Sequence, residues 1–272
     1  MGWPRLCYAL GMPTKRRASR KPKAEQPEFK WADMLETVLT MPGGFSKTYT
    51  RFYNYSVGNQ ILFYMQGCME PVATYDRWQK MGRQVIKGSK AKYVMRPKII
   101  KDPEDQTKTK FIGVHFQKAI FGLSETEGEE LPEFEHPEWS LGRARNALEI
   151  TEVPFAMADG NCQGYSFERS YAINPVAAYP FKTTMHELAH IVLGHTSGDG
   201  SYGHRGIGEF QAESVAYILM NELNLTEVCD LSESRAYVQH WLKGETPEDS
   251  KIRQVFTAAN TILEAGFEKQ ED

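Results

Sequence analysis

Two histidines and a glutamate within five residues are the groups in this chain best suited to bind a metal and to move a proton. His186, Glu187 and His190 lie in Thr183–Leu193, a segment without Pro or Gly whose apolar residues recur at helical spacing. On a helix, the two histidines lie one turn apart on one face, where two neutral imidazoles can bind one Zn²⁺. Glu187 is rotated by about 100° from His186. It therefore lies beside the metal without binding it and can accept a proton from water.

A catalytic zinc site needs a third protein ligand and an open fourth position. Glu209 begins the segment Glu209–Leu219, whose apolar spacing predicts a second amphipathic helix. Glu213 lies one turn further along the same face, so one of the two carboxylates can bind the metal while the other hydrogen-bonds a ligand histidine and fixes its tautomer. We assign the first role to Glu209 and the second to Glu213. Five glycines in residues 196–208 predict a loop between the two helices.

Two other histidines follow the motif. His195 lies five residues after His190, but the extended metzincin pattern requires a glycine three residues and a histidine six residues after the second histidine, and the chain has neither. His204 falls in the glycine-rich segment and is expected at the rim of the site. Two simpler interpretations are a helix with two surface histidines and a zinc site that only stabilises the fold. A structural zinc site normally uses four protein ligands, often Cys, and no cysteine lies near the motif.

Charge is distributed unevenly along the 272 residues. Residues 1–130 contain 22 Lys and Arg against 13 Asp and Glu, whereas residues 131–272 contain 10 against 22, and the net charge is −3. The basic half can meet phosphate groups, which the acidic half would repel. The four cysteines are scattered without a C-x-x-C pair, and no apolar run reaches the length of a membrane span. The sequence therefore predicts a cytoplasmic protein with reduced thiols and no membrane partner.

The pattern of elements predicts an α+β fold with a small antiparallel sheet in the N-terminal part and a mostly helical C-terminal part with a short sheet. The predicted divisions are a disordered basic tail at 1–28, an N-terminal domain at 29–125, an acidic linker at 126–139 and a C-terminal domain at 140–272.

Within these parts, several elements bear on the candidate sites. Residues 84–86 and 91–95 are predicted to form a hairpin across Lys87–Lys90, and residues 165–173 are predicted as a strand that borders the metal cleft. Further helices are expected at residues 29–39, 56–66, 140–150, 232–243 and 247–267.

The basic half interleaves aromatic rings with cations and amides. Single-stranded nucleic acid is commonly bound by such a mixture, because rings stack on bases and cations follow the phosphates. A protein that reads duplex DNA would need an Arg- and Lys-rich helix for the major groove, and the sequence shows none. The rings can equally be core residues, as most aromatics are. The residues predicted to contact nucleic acid are Tyr53, Tyr55, Asn59, Gln60, Trp78, Arg83, Lys87, Lys90 and Lys92.

Several stretches resemble the ArdC-type antirestriction proteins. Tyr53–Leu62, Ala73–Ala91 and Ala119–Gly128 resemble the N-terminal domain of that family, and Thr184–His190 and Glu209–Leu219 are similar to its zinc-metallopeptidase-like half. The resemblance implies an N-terminal domain that binds single-stranded DNA and a C-terminal zincin domain with Zn²⁺ as cofactor. It also implies a plasmid or another mobile element as the source, where such proteins are linked to protecting incoming DNA from restriction. The family's metal residues map onto His186, His190 and Glu209, with Glu187 as the catalytic-type glutamate.

Three functions are compatible with these features. The first is an antirestriction-type protein that binds single-stranded DNA and carries a zinc metallopeptidase-like site. The second is a zinc protease that cleaves a specific regulatory protein, with the basic domain as its targeting module. The third is a DNA-binding module whose zinc is not catalytic. The intact Glu187 favours an active site over a relic.

Overall fold

The computed structural model describes residues 29–40, 55–103, 105, 107–131, 138–156, 162–196, 205–226, 228–244 and 247–268. The predicted basic tail, Tyr53 and His204 lie outside these residues. The described helices are α1 Trp31–Thr40, α2 Val57–Met65, α3 Tyr75–Lys80, α4 Leu141–Leu148, α5 Pro180–Leu193, α6 Arg205–Glu222, α7 Ser232–Gly244 and α8 Asp249–Gly266. The strands are β1 Val72–Thr74, β2 Arg83–Val85, β3 Lys92–Lys101, β4 Thr109–Gly122, β5 Thr126–Gly128, β6 Thr151–Glu152, β7 Gly164–Phe167 and β8 Ser170–Ile173. The fold is α+β, as the sequence predicts.

Helices α5 to α8 pack around a continuous apolar core that also includes α1 and α2. Helix α6 lies at its centre and buries six apolar side chains completely: Phe210, Ala212, Val215, Ala216, Ile218 and Leu219. Helix α1 reaches the C-terminal helix α8 through Trp31 and Phe256, whose ring centroids are 5.7 Å apart. The N-terminal and C-terminal parts therefore share one core, and the helices of the candidate metal site are fixed within it.

The N-terminal part is built on a three-stranded antiparallel sheet with the order β1-β4-β3. Strands β3 and β4 form a long hairpin in which Met95 pairs with Phe116 and Ile99 pairs with Phe111. Its base covers a second apolar cluster that includes Phe63 and Ile120. The outer half of the hairpin extends away from that cluster.

The predicted hairpin between residues 84–86 and 91–95 is wrong. Strand β2 pairs instead with β5, which lies 41 residues further along, with Arg83 opposite Gly128. The Arg83 guanidinium fixes this pairing, because it donates to the Thr126 hydroxyl at 2.9 Å and to the Thr126 carbonyl at 3.0 Å. Part of the predicted linker therefore belongs to the N-terminal sheet.

Three of the predicted nucleic-acid contacts lie in the interior. Trp78 is 0% exposed, and its indole N–H donates to the Phe121 carbonyl at 3.0 Å. Asn59 is also buried and exchanges two hydrogen bonds with the backbone of Met95, whereas Gln60 is buried and donates to the Tyr55 carbonyl. A side chain that joins secondary-structure elements in this way cannot face a ligand, so we remove these three residues from the predicted interface.

A third sheet lies next to α5, with the order β6-β8-β7. The single strand predicted at 165–173 is instead a hairpin of β7 and β8, because Glu168 adopts a left-handed φ of 50° and reverses the chain. Strand β7 is the edge strand of this sheet. A helix long and apolar enough to cross a membrane does not occur in the described part of the chain.

The burial of Trp78 predicts that this residue contributes to stability and not to stacking. Trp78→Ala should lower the free energy of unfolding by about 3–5 kcal/mol, because it leaves a large cavity. Met69→Ala, at a side chain that is 63% exposed, should change it by less than about 0.5 kcal/mol. Denaturant titration followed by fluorescence measures both. A Trp78→Ala protein as stable as the wild type, but weaker in oligonucleotide binding, would restore the stacking role.

Candidate metal centre

Helix α5 presents the motif. It begins with Pro180 in its first turn, a position where the missing N–H costs nothing, and it ends at Gly194, whose φ of 79° suits glycine. Met185 and Leu188 are fully buried against the core. The helical period then directs His186 and His190 to the neighbouring face, where α6 passes. The helix predicted from the sequence is thus found, three residues longer at its start.

The imidazole nitrogens of α5 and a carboxylate of α6 converge on one point. The Nε2 atoms of His186 and His190 are 3.1 Å apart. The Glu209 carboxylate oxygens lie 3.2 Å from Nε2 of His186 and 3.6 Å from Nε2 of His190. These are the three residues of the described chain that could share a metal ion, since their ligand atoms lie within 4.8 Å of one another.

The spacing of these donors fits a bound first-row divalent ion. Zinc–nitrogen bonds of 2.0–2.1 Å in tetrahedral geometry place two ligand atoms about 3.3 Å apart. The three observed separations of 3.1, 3.2 and 3.6 Å bracket that value. Two imidazoles and one carboxylate also form the ligand set of many catalytic zinc sites, which keep one position open.

Glu213 lies behind His186 and not at the convergence point. Its Oε2 atom is 2.9 Å from Nδ1 of His186, and its Oε1 atom accepts from Nζ of Lys182 at 2.7 Å. Both carboxylate oxygens are therefore engaged, and the Nδ1–H of His186 must donate to Glu213, so Nε2 is the nitrogen that is directed at the metal position and that a metal would bind. The geometry supports the assignment of Glu209 as ligand and Glu213 as orienting residue.

A second hydrogen-bond chain orients His190. Its Nδ1 atom is 3.0 Å from Nδ1 of His195, and Nε2 of His195 is 3.2 Å from Oε1 of Gln211. The Gln211 amide donates in turn to the Lys251 carbonyl and to Oε1 of Gln254, both at 2.9 Å. If Nε2 of His190 binds a metal, Nδ1–H of His190 donates to Nδ1 of His195, and Nε2–H of His195 donates to Oε1 of Gln211. Each donor along these hydrogen bonds then faces an acceptor. In that arrangement His195 would orient His190 and would not itself bind the metal.

Sequence reasoning missed Gln211 and Gln254. Gln211 lies on α6, two residues after Glu209, and Gln254 lies on α8, another 43 residues along the chain. No local spacing relates these residues to the H-E-x-x-H motif. The five-residue offset from His190 to His195 is visible in the sequence, but it does not fit the extended metzincin pattern.

Glu187 faces an open cleft of about 450 Å³ that all the candidate metal residues line. Ser166 on the edge strand β7 donates its hydroxyl to Oε2 of Glu187 at 2.7 Å. Gly164 permits this approach, because a Cβ at that position would lie 2.8 Å from the Thr183 side chain on α5. The edge strand is thereby held against the motif helix, with the Glu187 carboxylate between them.

The ionisable groups of the candidate metal centre have shifted pKa values. Burial opposes protonation of His186, but hydrogen bonds with Glu209 and Glu213 outweigh it and raise its pKa to about 9. The hydrogen bonds from His186 and His190 hold the pKa of Glu209 well below its usual value. Burial lowers the pKa of His195, in keeping with a neutral ring that accepts a hydrogen bond at Nδ1.

Of the remaining residues predicted to contact nucleic acid, some form bonds within the protein and others are exposed to solvent. Arg83 is committed to the backbone of β5, and Lys92 pairs with Glu125 at 2.5 Å. Lys87 and Lys90 are exposed in the turn after β2. Tyr55 is half-buried, with its ring packed edge-on against Phe63 at 4.8 Å.

The hydrogen bonds from His190 through His195 to Gln211 predict that His195→Ala weakens metal binding by about 10- to 100-fold. This is the range expected when a ligand histidine loses its orienting partner. Thr196→Ala is the matched control, since the adjacent Thr196 also lines the cleft but bonds the Glu168 carbonyl instead. Competition with a chromophoric chelator measures the affinity. Equal affinities for the two variants would remove His195 from the positioning network.

The raised pKa of His186 predicts that metal affinity increases with pH. Below pH 9 the metal-free protein holds a proton on this ring, and the metal must displace it. The apparent affinity should therefore rise about tenfold per pH unit between pH 7 and 8.5, as measured by the same competition with chelator constants corrected at each pH. In Glu213→Gln the His186 pKa falls and the dependence should flatten. A wild-type affinity independent of pH in this interval would contradict the interpretation.

The chain is similar to known proteins in part of its sequence and in its fold. Residues 25–133 match the family model described as the N-terminal domain of anti-restriction factor ArdC. Two crystal structures of the antirestriction ArdC protein from the R388 plasmid have a similar fold. The metal-free one is 20% identical with a TM-score of 0.50, and the Mn(II)-bound one is 18% identical with a TM-score of 0.52. Both alignments cover 87% of this chain, and they cover 94% and 97% of the respective ArdC chains. None of the curated proteins matches the chain.

The family match includes α1, α2 and all five strands of the N-terminal part, and it extends past β5, in agreement with the β2–β5 pairing. The structural match covers 87% of the chain and therefore extends well beyond the residues that the family model matches. Residues 25–133 therefore match the N-terminal domain of anti-restriction factor ArdC, and the chain has a fold similar to that of the ArdC protein from R388.

Proposed function

We propose that the chain is an antirestriction-type protein of a mobile element, which binds single-stranded DNA and carries a zinc-dependent metallopeptidase-like site. The observation that carries the metallopeptidase-like site is the convergence of His186, His190 and Glu209, with Glu187 beside them in an open cleft. Single-strand binding is supported by the match of residues 25–133 to the N-terminal domain of ArdC. The excess of Lys and Arg in residues 1–130 supports it further.

His186, His190 and Glu209 would hold the metal. Zinc fits the two imidazoles and the carboxylate, although the same ligands also suit other first-row ions. The ArdC protein from R388 has a Mn(II)-bound structure, which supports the binding of a divalent ion by a protein of this fold. A divalent ion there supplies Lewis acidity, which acidifies water and polarises a carbonyl group.

The residues around the metal position have distinct roles in this proposal. Glu187 accepts a proton from water in the cleft and later donates it to a leaving amine. Ser166 holds one oxygen of that carboxylate and leaves the other for water. Among the described strands, β7 has no neighbour on its outer side, and an extended peptide could add to such an edge through main-chain hydrogen bonds.

A second candidate function is that of a site-specific protease for a regulatory protein, with the basic half as targeting module. The position of Glu187 between the metal residues and the edge strand β7 favours it, because a peptidase needs both a proton acceptor and a strand for its substrate. The third reading, a DNA-binding protein with a non-catalytic metal, differs from both in that Glu187 would have no role.

Glu187→Gln separates these functions. The amide keeps the Ser166 contact and all three ligands but cannot accept a proton, so zinc content and single-strand binding should stay at the wild-type level while any peptidase activity disappears. Binding is measured by fluorescence anisotropy with a labelled single strand and its duplex. Cleavage is sought by mass spectrometry of the incubated protein itself, within residues 1–28 and 122–139.

The outcomes are distinct. Preference for the single strand, with cleavage lost in Glu187→Gln, supports the full proposal. Equal affinity of the wild type for single strand and duplex contradicts the single-strand half. Cleavage that persists in purified Glu187→Gln contradicts the role of Glu187. If neither protein cleaves a peptide, the non-catalytic reading replaces the peptidase-like one.

A further inference from the structure

The outer half of the β3–β4 hairpin is the most exposed cationic element in the described N-terminal part. It comprises residues 96–101 of β3 and 109–112 of β4, and we call it the β3–β4 arm. Every one of these side chains is exposed. The arm is a two-stranded ribbon with solvent on both faces, whereas most of the residues that the sequence suggested for DNA contact are committed to internal bonds. A two-stranded ribbon is marginally stable by itself, so such a projection gains from a partner.

The charge of the arm points to a polyanion. Strands β3 and β4 together contain six Lys and Arg and no Asp or Glu, in a chain whose net charge is −3. Lys92, at the base, pairs with Glu125. Among the salt bridges of the described residues, none involves Arg96, Lys98, Lys101 or Lys110. These cations are therefore available to neutralise an external anion.

The strand register places most of these cations on one face. Arg96 is opposite His115, Lys98 is opposite Gly113, and Ile100 is opposite Lys110. Directly paired residues share a face, and so do residues two apart in one strand. Arg96, Lys98 and Lys110 thus form a continuous basic face. Gly113 leaves open space beside Lys98, since a Cβ there would meet nothing within 4 Å.

The opposite face of the arm ends in an aromatic ring. Phe111 is paired with Ile99 and is 49% exposed. The guanidinium of Arg253 on α8 lies 5.6 Å from the centroid of the ring, and this contact fixes the ring on one side. The residue stays about half exposed to solvent in the presence of this contact. A ring held in this way can stack on a base at a small cost in side-chain entropy.

We propose that the β3–β4 arm is the surface that contacts single-stranded nucleic acid. Arg96, Lys98 and Lys110 bind phosphates, and Phe111, held by Arg253, stacks on a base. This inference rests on the proposed single-strand binding and assigns it a location. The two strands contain no Asp or Glu, and the acidic residues of the hairpin lie in the turn between them, so a polyanion along the strands fits this charge distribution better than a protein partner does. A single strand suits the arm better than a duplex, because only unpaired bases offer a free face to Phe111.

The test compares two triple variants that remove equal charge. One carries Arg96→Gln, Lys98→Gln and Lys110→Gln on the arm. The other carries Lys80→Gln, Lys87→Gln and Lys90→Gln, at exposed cations around the turn that the sequence analysis favoured. Anisotropy titrations with single-stranded DNA, single-stranded RNA and duplex DNA are run at several salt concentrations. Circular dichroism and the thermal midpoint check that both variants are folded.

The arm variant should bind the single strand roughly 10- to 100-fold more weakly at 0.1 M salt, and its salt slope should fall by about 2, since each phosphate contact on a single strand contributes about 0.7. The turn variant should retain most of the affinity and the slope. Phe111→Leu should weaken binding roughly 5- to 100-fold without changing the salt slope. Phe111→Tyr, which keeps an aromatic ring, should bind with the wild-type affinity. The comparison of DNA with RNA identifies the natural source of the strand.

Three failures are distinguishable. If the wild type prefers no single strand, the proposed single-strand binding fails and the arm loses its partner. If the wild type binds single strands and the arm variant binds them equally well while the turn variant does not, only the location is wrong. An arm variant or a Phe111→Leu variant that changes the oligomeric state and leaves oligonucleotide affinity intact would overturn the proposal in favour of a contact between copies of the chain.

Discussion

The packing of α5 against α6 is the constraint on which the candidate metal centre depends. Each helix buries an apolar face in the common core, Met185 and Leu188 on α5 and Phe210 and Val215 on α6. The polar side chains between the two helices form a seam. This seam cannot open without exposing the apolar faces of both helices to solvent. Two imidazoles and two carboxylates are thereby held within hydrogen-bond distance of one another. Their mutual hydrogen bonds compensate for their partial burial, and a divalent cation would compensate for it further.

Protein groups around this seam determine which atoms face the metal position. Glu213 is hydrogen-bonded to Nδ1 of His186, and His195 is hydrogen-bonded to Nδ1 of His190. The Nε2 atoms of both rings are therefore directed at the metal position. The network continues from His195 through Gln211 to the turn 251–254 of α8. The same turn carries Arg253, which contacts Phe111 of the β3–β4 arm. One turn of the last helix therefore supports both proposed sites.

The sequence predicts the features that depend on local periodicity. The H-E-x-x-H spacing and the four-residue step from Glu209 to Glu213 define helix faces, and the structure brings those faces together. The helices at 232–243 and 247–267 are also found, with bounds within a few residues. A helix creates its own pattern within one or two turns, so a single sequence is enough to recognise it.

Features that depend on distant parts of the chain could not be predicted in this way. The β2–β5 pairing spans more than 40 residues and depends on what the Arg83 guanidinium meets. The burial of Trp78 depends on the Phe121 carbonyl, 43 residues away. Composition identifies Trp78 and Phe111 equally as aromatic residues in a basic half. Only their position distinguishes a core ring from an exposed one.

Anomalous diffraction from crystals grown with Zn²⁺ tests the central claim most directly. The account predicts one strong anomalous peak within about 2.0–2.2 Å of Nε2 of His186, Nε2 of His190 and a carboxylate oxygen of Glu209, while Glu213 remains bonded to Nδ1 of His186. A peak bonded to Glu213 or His195 in place of Glu209, or no peak between α5 and α6 in zinc-saturated crystals, would contradict it.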